Sequence, residues 1–161
     1  MDESNAFLAA VMPPLKAAET ALHNGDAGPR QRLWSSRDPV TLFGAVMTKR
    51  GPEEVSAAFD LLASRFSHCT SFEYDVIASG ASGDLAYIVG IEHTTASVGG
   101  ADPLPYALRV TTIFRRENEE WKIIHRHGDA LPDGDPSGNN AARTRVQLGR
   151  LATADSPDHS Q

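Results

Sequence analysis

Residues 108–129 read LRVTTIFRRENEEWKIIHRHGD, and the side on which each of these side chains falls decides both the fold and the placement of the chemistry. From Tyr106 onward, Leu108, Val110, Thr112 and Phe114 alternate with Arg109, Thr111, Ile113 and Arg115, the period-two pattern of a strand with one buried face. Trp121 to His127 reads as a second strand, with Glu117 to Glu119 as a three-residue turn between the two. Arg116 then faces Glu120, Thr112 faces Ile124 and Val110 faces Arg126. On the other side Arg115 meets Trp121, Ile113 meets Ile123, Thr111 meets His125 and Arg109 meets His127. With the apolar set turned toward covering helices, Arg126 points inward and both histidines point away. A turn of two or four residues would slip the register by one and exchange the faces of the last strand.

Upstream, residues 70–79 and 84–94 form two further period-two runs, separated by the glycine-rich and proline-rich connections SGASGD and SVGGADPLP. The segment before them is helical. Val55, Phe59, Leu62 and Phe66 follow helix spacing after Pro52, Glu53 and Glu54, residues suited to a first turn. Leu15, Ala18 and Leu22 mark an earlier helix ending at Asn24-Gly25, and Pro13-Pro14 predicts a break or kink at its start. LWSSRDPVTLFGA reads as a helical turn and a brief strand over Val40 to Phe43. The order predicts an α+β fold: N-terminal helices covering one face of an antiparallel meander, with a short extra strand. Residues 1–131 form the domain, and 132–161 a linker, a short helix over 141–152 and a flexible tail.

With 161 residues, one domain is expected. Fifteen basic residues stand against 21 acidic ones, a net charge of −6 without a basic cluster, which argues against nucleic acid. The single cysteine, Cys69, rules out an internal disulfide or thiolate metal cluster. The acidic opening MDESNAFLAAVMPP lacks the charge pattern of a secretory signal, and no segment has the roughly 20 apolar residues of a membrane span. A cytoplasmic protein with no membrane partner is expected.

The ordered set NGD, LWSSRDPVTLFGA, EEVSAAFDLLASRF, SGDLAYIVGIEH and the 108–129 hairpin resembles the SnoaL-like and ketosteroid-isomerase-like members of the nuclear transport factor 2-like superfamily, over about Leu15 to Asp129. The resemblance implies a cone: a curved sheet wrapped around a long helix, an apolar pocket inside, and a homodimer. It does not fix a function, because one scaffold serves isomerases, cyclases, dehydratases and association modules.

Within that cone the expected pocket lining is Trp34, Phe43, Tyr74, Tyr87, Tyr106, Thr112 and Phe114, with His93 near the mouth and Arg126 as the one inward charge. A buried guanidinium must be paired, either with an internal acid such as Asp38 or with an anionic ligand. No carboxylate falls where ketosteroid isomerase chemistry needs one: the base position lies near Thr41 or Leu42, the acid position at Thr111 or Thr112. The leading expectation is therefore a protein that binds an aromatic or polycyclic small molecule carrying an anionic group, with no cofactor. An isomerase, cyclase or dehydratase using His93 or Asp38 is the alternative, and an association module resembling the kinase II association domain, whose HFH-type ending resembles HRH here, is the third. Arg109, Ile113, Trp121, Ile123, His125 and His127 share the outward parity and suit a dimer face. His125 and His127 need further ligands such as His93 and Asp129 to hold zinc, so no metal is expected.

Overall fold

The computed structural model describes residues 2–135 and 141–154. In chain order it contains helices α1 (Glu3–Leu22) and α2 (Gly28–Leu33), short strands β1 (Thr41–Phe43) and β2 (Thr48–Arg50), helix α3 (Pro52–Ala63), long strands β3 (Phe66–Ser82), β4 (Leu85–Val98), β5 (Leu104–Glu117) and β6 (Glu120–Ala130), and helix α4 (Ala141–Ala154). The strands form one curved sheet in the order β2-β1-β6-β5-β4-β3, with β1 parallel to β6 and the other neighbours antiparallel. The α+β class and the meander are as expected, although the strands run longer than their patterns suggested.

Helix α1 runs through Pro13 and Pro14 without a break, which excludes a separate turn before them. Phe7, Val11, Leu15, Ala18 and Leu22 make one continuous buried stripe, so packing stabilises the helix on both sides of the prolines. The two prolines lie on the opposite, exposed side, as do Ala9 and Ala10, whose carbonyls lose their i+4 donors. Solvent can satisfy those carbonyls, which makes the interruption tolerable. Phe7 then sets its ring edge-on to Phe114 and Trp121, at 5.0 and 5.1 Å, and Trp34 packs likewise on Phe59 at 5.2 Å.

The hairpin between β5 and β6 corrects the predicted register. Its turn has two residues, Asn118 and Glu119, with φ of 50° and 68°, so Arg116 pairs with Trp121 and Phe114 with Ile123. These positive angles at both central positions are those of a hairpin turn whose twist matches the strands. A bulge follows. Ile124 is skipped, and beyond it Ile113 pairs with His125, Thr112 with Arg126 and Thr111 with His127. Turn and bulge each shift the register by one, so the predicted parity survives beyond the bulge and fails before it. Arg126 faces inward and His125 and His127 face outward, but Trp121 and Ile123 move to the helix side, where Ile123 is buried. They are therefore not available to an outer-face interface.

Glu119 carries at its left-handed φ the steric cost of a Cβ, which glycine would not. Glu119→Gly should raise stability by about 1 kcal/mol, seen as an upward Tm shift of about 2–4 °C on thermal unfolding. No gain would show that the turn is not held in this conformation in solution.

Candidate functional site

Even-numbered residues of β4 from Ala86 to Val98 face the helices and are buried, and Glu92 is among them at 3% exposure. The expectation of no inward carboxylate is thus wrong. Arg126, opposite on the concave face of β6, donates from Nη1 and Nη2 to the two Glu92 oxygens at 2.6 and 3.0 Å. A second buried carboxylate comes from α1. Glu19 lies on the stripe between Leu15 and Leu22 and forms a two-point pair with Arg30 of α2, Nε to Oε1 at 3.0 Å and Nη2 to Oε2. The Arg30 guanidinium also sits over the Phe59 ring, 5.0 Å from its centroid.

One turn beyond Glu19, His23 is 2% exposed. Its Nδ1 lies 2.7 Å from the Glu19 carbonyl oxygen, which can only accept, so Nδ1 carries the proton. Nε2 is then an acceptor, and the Tyr106 hydroxyl of β5 donates to it at 2.5 Å. Burial pushes the His23 imidazole down to about 4, against the opposing pull of Glu19, so it is neutral at pH 7. Burial pushes the Tyr106 phenol well above its ordinary range. For Glu19 burial works upward, but Arg30, then Arg126 and His23, bring the carboxyl down to about 2. Glu92 and then Glu19 hold the Arg126 guanidinium charged despite burial.

His23, Arg30, Tyr106 and Arg126 border a cavity of about 60 Å³. Leu22, His23 and Arg30 line one side, Tyr106, Leu108 and Arg126 another, the Gly44–Met47 connection a third, and Leu148 and Leu151 of α4 the roof. The remaining lining is aliphatic and aromatic, including Leu42, Leu62 and Phe66. A volume near 60 Å³ holds about two water molecules, given roughly 30 Å³ for each. A polycyclic ligand is larger than this cavity.

Of the eight expected ligand-binding residues, Tyr106 and Arg126 line this cavity. Trp34, Tyr74, Thr112 and Phe114 are buried on the same inner side but pack in the core instead. Tyr87 and Phe43 are corrections. Tyr87 is 44% exposed on the outer face beside Ile113, and Phe43 sets its ring edge-on to His125 and His127 on that same face. His93 shares the parity of Tyr87 and is likewise outside, its place inside taken by Glu92. Asp38 is exposed in the connection before β1 and does not border the cavity. Neither expected catalytic residue reaches the interior. Arg109, Ile113, His125 and His127 remain on the outer face, where His125 Nδ1 meets Thr41 Oγ1 at 2.7 Å and His127 Nε2 meets Asp129 at 3.0 Å. Among the described residues no group of three or more histidine, cysteine or acidic side chains is placed to hold a metal ion.

Sequence reasoning passed over Glu19, His23, Arg30 and Glu92. Glu19 and His23 could have been found, because they stand at i+4 and i+8 from Leu15 on the stripe already read as buried.

The curved six-stranded sheet packed against N-terminal helices is the fold of solved nuclear transport factor 2-like proteins. Within that class the chain belongs to the SnoaL-like domain family, whose model matches residues 14–131. Similar solved structures include a candidate dehydratase of the nuclear transport factor 2-like family from Streptomyces avermitilis, 18% identical, covering 80% of this chain and 98% of that one with a TM-score of 0.68. A superfamily protein from Salmonella enterica serovar Typhimurium is 14% identical, covering 84% and 98%, with a TM-score of 0.70. A candidate calcium/calmodulin-dependent protein kinase II association domain from Xanthomonas campestris is 16% identical, covering 82% and 91%, with a TM-score of 0.60. At these identities the likeness concerns the fold. No curated protein matches the sequence. No helix among the described residues is long and apolar enough to cross a membrane.

Proposed function

We propose that this chain binds a small, uncharged, largely apolar molecule at this cavity. The supporting observation is that both guanidiniums bordering the cavity are already ion-paired, Arg126 with Glu92 and Arg30 with Glu19, while His23 is neutral. Their charges cancel, and a ligand carboxylate would have to displace a buried partner. This revises the expected anionic ligand to a neutral one. Thermal-shift screening with matched pairs, benzyl alcohol against benzoate and 1-naphthol against 1-naphthoate, tests it. At a hundred times Kd the neutral member should raise Tm by about 5–10 °C and its carboxylate should not. A consistent preference for the carboxylates would overturn the reading.

An enzyme of the isomerase or dehydratase type is the second reading, favoured by the Tyr106 hydroxyl and His23 imidazole at the cavity wall. The acid/base role then passes from His93 and Asp38 to this pair. Turnover of a ligand from the screen, lost in Tyr106→Phe with binding retained, would support it; binding without turnover favours the binding protein.

We also propose a homodimer through the outer sheet face, which exposes Ile77 at 63% and Tyr87 at 44% beside Ile113 and Arg109. Light scattering should give twice the chain mass, and Ile113→Lys should give the monomer. Assemblies larger than a dimer would favour an association module instead.

A further inference from the structure

Three backbone groups lie where the strand ladders stop. β6 ends at Ala130, which pairs with Leu108, so the Ala107 amide one residue further has no β6 partner. Ala96 and Leu104 form the last pair of the β4–β5 ladder. All three are met by one face of α4. The Ala107 N–H donates to Thr144 Oγ1 at 3.0 Å, and Gln147 Nε2 donates to the Ala96 and Leu104 carbonyls at 2.8 and 3.1 Å. Thr144 and Gln147 are 3% and 0% exposed, so α4 is seated by a buried polar seam. Its apolar contribution to the cavity is made by Leu148 and Leu151 alone.

This division matters for binding. Hydrogen bonds of the seam are exchanged for bonds to water when the helix lifts, at small net cost. Two leucines are a modest apolar anchor, and the space they fill lies against Leu62, Phe66 and Leu108. An apolar ligand entering that space would restore the burial that the leucines give up. The family match ends at residue 131, before α4 begins.

We infer that α4 is the specificity element of the cone: Leu148 and Leu151 occupy the subsite for the apolar body of the ligand, and a ligand larger than the present cavity binds by displacing them. The inference rests on the cone's being a small-molecule site. Docking of α4 opposes the entry of ligands larger than the cavity. Loosening the seam opens the site to larger ones.

The probe is N-phenyl-1-naphthylamine, uncharged and fluorescent in apolar surroundings, titrated into the full chain, with hydrogen exchange at the Ala107 amide reporting α4 docking. Gln147→Ala, which loosens the seam, should bind the probe roughly tenfold more tightly than the parent chain, and the Ala107 amide should exchange faster. Leu151→Ala, which leaves the seam intact, should also tighten binding by enlarging the subsite, and it serves if Gln147→Ala folds poorly. Saturating probe should deprotect Ala107 in the parent chain. Probe binding with equal affinity in all three proteins, or with Ala107 protection unchanged, overturns the role of α4 and leaves the cone site standing. No probe binding in any of them, with Ala107 deprotected in Gln147→Ala, overturns both.

Discussion

Arg126→Ala should destabilise the protein by about 3–5 kcal/mol, a fall in Tm of about 6–20 °C for a chain of this size. The loss comes mainly from what the substitution strands. Glu92 has a side chain 4% exposed and accepts two bonds from Arg126, so removing the guanidinium leaves its carboxylate in the interior without a counter-ion. Arg126 also lowers the carboxyl of Glu19, so the neighbouring pair loses support. The double variant Arg126→Met/Glu92→Met separates this from a shape effect. Replacing both partners by apolar groups removes the orphaned charge and should recover most of the loss. Denaturant unfolding of the single and double variants reads both. A single variant within 1 kcal/mol of the parent would mean that Glu92 has another partner in solution. A double variant no better than the single would place the cost in packing.

That Arg126 faces inward was legible in the hairpin, although for a reason that does not generalise. The predicted three-residue turn was one too long and the bulge at Ile124 was unseen, and two single-residue shifts restored the parity. Asn118-Glu119 is a poor signal for a two-residue turn because glutamate seldom takes the second position. The bulge has no local signature, since Ile123-Ile124 reads as continuous strand. Its consequence was felt only between turn and bulge, where Trp121 and Ile123 changed sides.

The partner of Arg126 was hidden by a different effect. In the middle of β4 the outward Tyr87, Val89 and Ile91 are at least as apolar as the inward Ile88, Gly90 and Glu92, so hydrophobicity alone does not select the inner face there. Two features explain this. The outer face carries an apolar patch of its own, and Gly90 must stay small because a side chain there would meet the Asp75 carbonyl oxygen at 2.4 Å. The helices were legible because their stripes are long, yet a stripe read only for its apolar members skips Glu19 and His23. Charged residues on a buried stripe are where this chain keeps its interior polar groups.

Acidification should unfold the protein in two overlapping stages, both set by α1. The His23 imidazole is held down to about 4 from 6.5 by burial, so between these values the unfolded chain binds a proton that the folded chain refuses. Stability contributed by neutral His23 is complete above pH 6.5 and is lost as pH falls toward 4. Glu19 is held down to about 2 from 4.5, burial being outweighed by Arg30, so its contribution is complete above 4.5 and is lost as pH falls toward 2. Both groups act in the same direction, and the unfolding free energy should rise continuously with pH across the two windows. The slope for one such group approaches about 1.4 kcal/mol per pH unit, giving a total of about 3 kcal/mol from His23. His23→Gln tests the assignment. It has no proton to take up, so the slope between pH 6.5 and 4 should flatten while that below 4.5 remains. Urea unfolding followed by the two tryptophans across pH 3–8 measures both. A parent chain whose stability is level from pH 7 to 4 would place His23 in contact with solvent, and with it the Tyr106 hydroxyl that donates to its ring.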